Sequence, residues 1–166
     1  MSDHISSPSR RDPAAAEPID PDTAAMPGAA PASPAADLSV WGAIAAGGAL
    51  GALARWASGQ WYPTRPGVFP WTTFAINAIG CALIGVVMVL VTDVYPAQRL
   101  LRPFVVTGVL GGFTTFSTYS VDTLHLIDAG HWVTGAENVF GTLIAAIGAV
   151  TITTRLTRRV VSAARR

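Results

Sequence analysis

The chain has 166 residues, 51% hydrophobic and 13% charged, with eleven basic residues, all arginine, and a formal net charge of +1. A soluble domain carries about 25% charged residues, so an ordinary soluble globule is excluded, as the mean hydropathy of +0.43 also indicates. The length allows about four membrane spans of roughly 20 residues with short connections, which excludes a large extramembrane domain and leaves an all-α integral membrane protein as the expected class.

Residues 1–37 alternate Ala and Pro with Ser and Asp, as in Pro31-Ala32-Ser33-Pro34-Ala35-Ala36. Such a composition offers no apolar periodicity to offset the entropy of ordering, so a disordered tail is expected. It lacks the apolar core of a secretory leader. The spans occupy 38–157, and 158–166 is an Arg-rich C-terminal tail. The first span is predicted from Leu38 to Trp61, with Gly47, Gly48, Gly51 and Ala52 as a face for close helix packing. Arg55 lies in its second half, placed to snorkel or to pair spans, and Trp56, Trp61 and Tyr62 mark the interfacial belt. Pro63-Thr64-Arg65-Pro66-Gly67 is a turn that cannot stay helical.

The second span starts near Trp71 and reaches Val91. Asn77 is the strongly polar group inside it, and a carboxamide at that depth needs a partner. Cys81 reads as a small packing residue. After a connection containing Asp93, Arg99 and Arg102, the third span runs to about Leu126, with Asp122 expected to pair spans near the interface. Ala129-Gly130-His131-Trp132 is the last turn. The fourth span, from about Val133 to Thr154, carries Glu137, expected to cap its start, then Asn138 and Thr142.

The third span holds the most informative run, Gly108 to Ser120, where glycines, hydroxyls and rings crowd into one helix length. Glycine-broken, hydroxyl-rich backbone survives at membrane depth where it is buried in protein or lines a pathway. Asn77, Thr114, Thr115, Ser117, Thr118, Ser120, Asn138 and Thr142 supply neutral O–H and N–H donors with little fixed charge nearby. Such a lining suits a small anion, replacing its hydration bonds without trapping it. Phe116 and Tyr119, three apart, would add the positive edges of their rings. The alternative is that each hydroxyl bonds the carbonyl four residues back, as Ser and Thr commonly do in membrane helices.

Three blocks in order carry a resemblance: Gly47 to Trp56, Thr73 to Gly80, and Gly111-Gly112-Phe113-Thr114-Thr115-Phe116-Ser117-Thr118-Tyr119. Together they resemble the Fluc (CrcB) fluoride channel family, over about 40–156. The resemblance implies four transmembrane helices per subunit, the third broken at its centre, in an antiparallel dual-topology-type dimer that exports fluoride passively. It implies a fluoride pathway at Asn77, Phe116, Ser117, Thr118, Tyr119 and Thr142, a structural Na⁺ at the dimer interface on the backbone carbonyls of Gly111 and Thr114, and an orienting role for Arg55. Tyr119 stands where phenylalanine is usual, so its hydroxyl needs a partner, and Thr142 stands where serine is usual.

The partners implied are fluoride, the lipid bilayer and a second subunit, either an identical copy or an oppositely oriented homologue; no nucleic acid is expected. Most arginines, including Arg99, Arg102, Arg155, Arg158 and Arg159, fall on one side of an even number of spans, which predicts both termini in the cytoplasm of a cell inner (plasma) membrane protein. An enzyme is not expected, since His125 and His131 lack metal-pair spacing and Cys81 lacks a basic partner. A small proton-coupled exporter is the rival, but the first two spans hold no carboxylate to trade protons. A non-transporting membrane scaffold would explain the glycine faces but not the donors.

Overall fold

The computed structural model describes residues 34–165, with side chains from Leu38 onward. The expected tail lies outside the described residues except for its last four, which open the first helix, α1 (Pro34–Trp61). Helix α2 is Trp71–Val89 and ends in a wide turn, Leu90–Val94, closed by the Tyr95 amide on the Leu90 carbonyl. The third span comes in two pieces. The first, α3, is a wide π-type helix over Arg102–Leu110 that tightens into the α-helical turn Gly111–Phe113, and the second, α4, is Phe116–Asp128. Helix α5 runs Trp132–Ala164.

Among the described residues the structure is all helical, and four stretches are long and apolar enough to cross a membrane: Leu38–Trp61, Trp71–Val94, Arg102–Asp128 and Trp132–Ala164. The chain is a multi-pass membrane protein. Its burial pattern is that of a protein in an apolar solvent. Thr73, Thr115, Thr123, Asn138 and Thr142 are buried, while Leu50, Phe140, Ile144 and many other large apolar side chains face outward. Water would reward the reverse arrangement. In hydrocarbon, polar groups belong inside, paired with one another, and no buried side-chain polar atom among the described residues lacks a partner.

Contacts fix the directions of the helices. Gly47 meets Phe104 and Gly108, and Gly51 meets Val109 and Phe113, so α1 and α3 run parallel. Along α5, Thr154 lies against Gly85 of α2, while Asn77 shares a groove with Thr142, so α2 and α5 are also parallel. Thr123 of α4 meets Asn138 of α5 across the tight turn at Gly130, whose positive φ of 81° favours glycine. Helix α5 continues about three turns past the expected end at Thr154, because Ala, Leu and Arg are good helix formers and nothing breaks the run. It begins on His131 without a side-chain cap, so Glu137, more than a turn inside, does not cap it as expected.

The α1–α3 seam is backbone on backbone. A Cβ added at Gly51 would lie 2.0 Å from the Val109 carbonyl oxygen, whereas one at Gly42 would meet nothing within 4 Å. Gly51→Val is therefore expected to cost about 3 kcal/mol or more through overpacking against rigid backbone. Gly42→Ala should fall within about 0.5 kcal/mol of the parent. Thermal unfolding in detergent checks both; equal midpoints would show that the seam is not tight.

Candidate functional site

The site is built where α-helical hydrogen bonding stops. Thr114 (φ −72°, ψ 156°) and Thr115 (φ −146°, ψ 120°) are extended between the turn ending at Phe113 and the start of α4. Extended backbone here presents N–H and C=O groups that no helix satisfies. Asn77 of α2 satisfies two of them: its Nδ2 donates to the Thr115 carbonyl at 3.0 Å, and its Oδ1 accepts from the Thr115 amide at 2.9 Å. The partner that this half-buried carboxamide requires is thus the backbone of the third span, met the way a neighbouring strand would meet it. One Nδ2 hydrogen remains for another acceptor.

Thr115 also caps α4. Its Oγ1 accepts from the Thr118 amide at 3.1 Å and donates to Thr118 Oγ1 at 3.0 Å, with Ser117 Oγ 3.3 Å away. These bonds divert amides that a continuous helix would use. The Thr115 amide serves Asn77 rather than the Gly111 carbonyl, and the Thr118 amide serves Thr115 Oγ1 rather than the Thr114 carbonyl. Arg55 Nε takes the Gly112 carbonyl at 3.1 Å, tying α1 to the same turn. The carbonyls of Gly111 and Thr114 are left without their helical donors. They are hard oxygen ligands of the kind a small alkali cation accepts, so the residues present fit such an ion. No cluster of three His, Cys, Asp or Glu able to hold a metal occurs among the described residues.

Beside this turn lies an open groove of about 280 Å³ that brings together Asn77, Thr114, Thr115, Phe116, Tyr119 and Thr142, with Cys81, Ile84, Leu143 and Ala146. None of these carries a fixed charge. Phe116, 80% exposed, stands at its open side with its ring centroid 5.7 Å from that of Tyr119. The Tyr119 hydroxyl, the departure noted in the sequence, finds the Val139 carbonyl of α5 at 3.2 Å and pins the ring to that helix. Behind the groove, buried Asn138 donates to Thr123 Oγ1 at 2.8 Å and accepts from Thr142 Oγ1 at 3.3 Å. Rotation about the Thr142 Cβ–Oγ1 bond would exchange that long bond for one into the groove.

A second cavity, about 470 Å³, is lined by Arg55, Trp56, Thr73, Thr115 and Thr118 among others, so Thr115 is common to both. Thr118 belongs to this side and not to the groove. Ser117 is exposed and lines neither. Thr73 donates to the Asp122 carboxylate at 2.6 Å, joining α2 to α4. The remaining hydroxyls follow the bland pattern: Thr114 bonds the Leu110 carbonyl, Ser120 that of Phe116 and Thr123 that of Tyr119. Thr115 and Asn138 carry more of the site than their isolated hydroxyl and amide suggested. The sequence signals were a Thr directly before an apolar helix start, a cap position, and matching i, i+4 polar pairs at Tyr119/Thr123 and Asn138/Thr142.

Asn77→Ala should strand the Thr115 amide and carbonyl, costing about 1–3 kcal/mol for each unsatisfied group. Thermal unfolding of the purified variant reads this directly, and an unchanged midpoint would mean that Asn77 is not the brace of the third span.

Residues 42–154 match the family described as CrcB-like protein, Camphor Resistance (CrcB). The chain is 51% identical over 130 residues to the "Fluoride-specific ion channel FluC 2" of Streptomyces avermitilis, covering 74% of this chain and 82% of that one. It is 55% identical over 117 residues to the "Fluoride-specific ion channel FluC 1" of Streptomyces coelicolor, covering 70% and 76%. To the "Fluoride-specific ion channel FluC 3" of Streptomyces avermitilis it is 48% identical over 110 residues, covering 66% and 54%. A match extending through all four spans leaves one reading of its ancestry: the chain belongs to the CrcB family.

Proposed function

We propose that this chain is a fluoride-selective ion channel that lets fluoride leave the cytoplasm passively and so lowers its toxicity. The chain is not an enzyme. The observation that carries the reading is the uncharged groove at the third span, where Asn77, Phe116, Tyr119 and Thr142 meet beside non-helical backbone. Fluoride is small and strongly hydrated, so a pathway must return hydrogen bonds as water is stripped away. Neutral donors do this at a depth where a fixed cation would hold the ion too tightly.

In this reading the half-buried Arg55 guanidinium gives the second cavity the positive potential that draws an anion in. The Thr118 hydroxyl, whose oxygen accepts from Thr115 and whose hydrogen stays available, receives the ion between the two cavities. The free Nδ2 hydrogen of Asn77, the ring edges of Phe116 and Tyr119, and the rotating Thr142 hydroxyl then carry it along the groove, with exposed Ser117 continuing the hydroxyl track. Asn77 thereby does two tasks, bracing the backbone with one hydrogen and offering the other. The exposed Phe116 is left for a second subunit to cover, in an antiparallel dimer whose third helices are broken at their centres. Na⁺ would be held there by the carbonyls of Gly111 and Thr114; when bound it supplies positive charge against carbonyls that lack helical donors.

The arginine asymmetry supports a fixed orientation in the cell inner membrane, both termini cytoplasmic, and hence pairing with an oppositely inserted homologue rather than with an identical copy. Relatives numbered 2 and 3 in one organism, Streptomyces avermitilis, are in keeping with separately encoded subunits.

Liposomes containing the purified protein, alone and with any sister chain, should release fluoride rapidly without a proton gradient and retain chloride. Equal chloride release, or dependence on the gradient, would contradict the channel reading. Phe116→Ile should slow fluoride release about tenfold, the kinetic equivalent of one lost ring-edge contact, with the thermal midpoint unchanged. A topology reporter fused to the C-terminus should read one side of the membrane, and comparable signals on both sides would exclude a fixed orientation.

A further inference from the structure

At 33 residues, α5 is about 50 Å long against a hydrocarbon thickness of about 30 Å. Its last three turns therefore pass from the ends of the acyl chains out through the headgroup layer. They carry Arg155, Arg158 and Arg159, with Arg165 just past the helix end, all exposed, and at α-helical spacing the first three fall in one stripe about 100° wide. Beside the stripe lie Leu156 and Val160, 54% and 68% exposed.

Two further arginines belong to the same end of the molecule. Because α2 and α5 are parallel, the wide turn after α2 reaches the level of the α5 extension, and Arg165 donates to the Asp93 carbonyl. Arg99 and Arg102 follow in the connection and at the start of α3, both exposed. The Asp93 carboxylate accepts the Thr92 hydroxyl at 3.2 Å. Six guanidinium groups thus lie at one end of the bundle, three of them (Arg155, Arg158, Arg159) at repelling i, i+3 and i, i+4 spacings.

Guanidinium matches phosphate bidentately, and at the level where α5 leaves the hydrocarbon the available phosphates are those of lipid headgroups. The apolar flank narrows the choice: Leu156 and Val160 gain by lying against the tops of acyl chains, which a soluble polyanion does not offer. We propose that the arginine stripe of α5, with Arg99 and Arg102, is a binding surface for the phosphate headgroups of anionic phospholipids in the leaflet at that end. Bound lipid would relieve the repulsion and hold the helix extension against the membrane surface.

Native mass spectrometry of the full-length protein, released from micelles containing equal phosphatidylglycerol and phosphatidylcholine, tests this. The parent should retain phosphatidylglycerol about tenfold or more in excess, less so as salt is raised. The triple variant R155Q/R158Q/R159Q should lose most of that excess at an unchanged thermal midpoint, and R155K/R158K/R159K should recover part of it. Equal retention of the two lipids by the parent, or an undiminished excess in the glutamine variant or in R158Q alone should the triple variant misfold, would overturn the proposal. So would displacement of phosphatidylglycerol by a short oligonucleotide at equal phosphate concentration.

Discussion

Two hydrogen bonds between the Asn77 carboxamide and the Thr115 backbone hold the rest of the site in place. In hydrocarbon an interrupted helix is costly because its freed amides and carbonyls have no water to turn to. A carboxamide is the side chain that can offer donor and acceptor together, in the geometry of a peptide. With Thr115 satisfied from α2, its own hydroxyl is free to cap α4, and α4 can restart in a direction that turns Phe116 and Tyr119 to the groove. Arg55 completes the arrangement from α1 by donating its Nε–H to the Gly112 carbonyl. Two other spans therefore converge on the four-residue stretch Gly112–Thr115 of the third.

That convergence explains the glycines. For Arg55 to reach Gly112, α1 must lie almost in backbone contact with α3, and Gly47, Gly51, Gly108 and Gly112 are the positions of this seam at which an added Cβ would strike the facing backbone at 3.0 Å or closer. Close approach of this sort is what small residues supply in membrane helices, where apolar side chains gain nothing by leaving lipid for one another. The seam of small residues, the braced break and the groove are consequences of one requirement: polar backbone at depth must be met by something other than water.

The four spans were legible in the sequence because length and hydropathy alone determine them, and each observed helix overlaps its expected range. Their ends were less so. The wide turns at Leu90–Val94 and Arg102–Leu110 leave no mark in a pattern of apolar residues, since Val, Leu and Phe fill α and π turns alike. The extension of α5 was hidden by charge, because arginine ends a span without ending a helix. In the site, the resemblance assigned Asn77, Phe116 and Tyr119 to one pathway, and the three line one groove. The division of labour among hydroxyls was out of reach: whether a Thr bonds four residues back, as Thr114 does, or caps a helix, as Thr115 does, depends on backbone angles that composition does not encode. Glu137 illustrates the same limit, an acidic residue near a helix start that the tight turn at Gly130 leaves more than one turn too late to cap.

The brace makes the Thr115 amide one of the protected hydrogens of the molecule despite its place outside any helix. Amide exchange followed by NMR in a membrane mimetic measures it residue by residue. The account predicts that Thr115 exchanges as slowly as the amides inside α2 and α5; exchange as fast as in the exposed Pro63–Gly67 turn would contradict it.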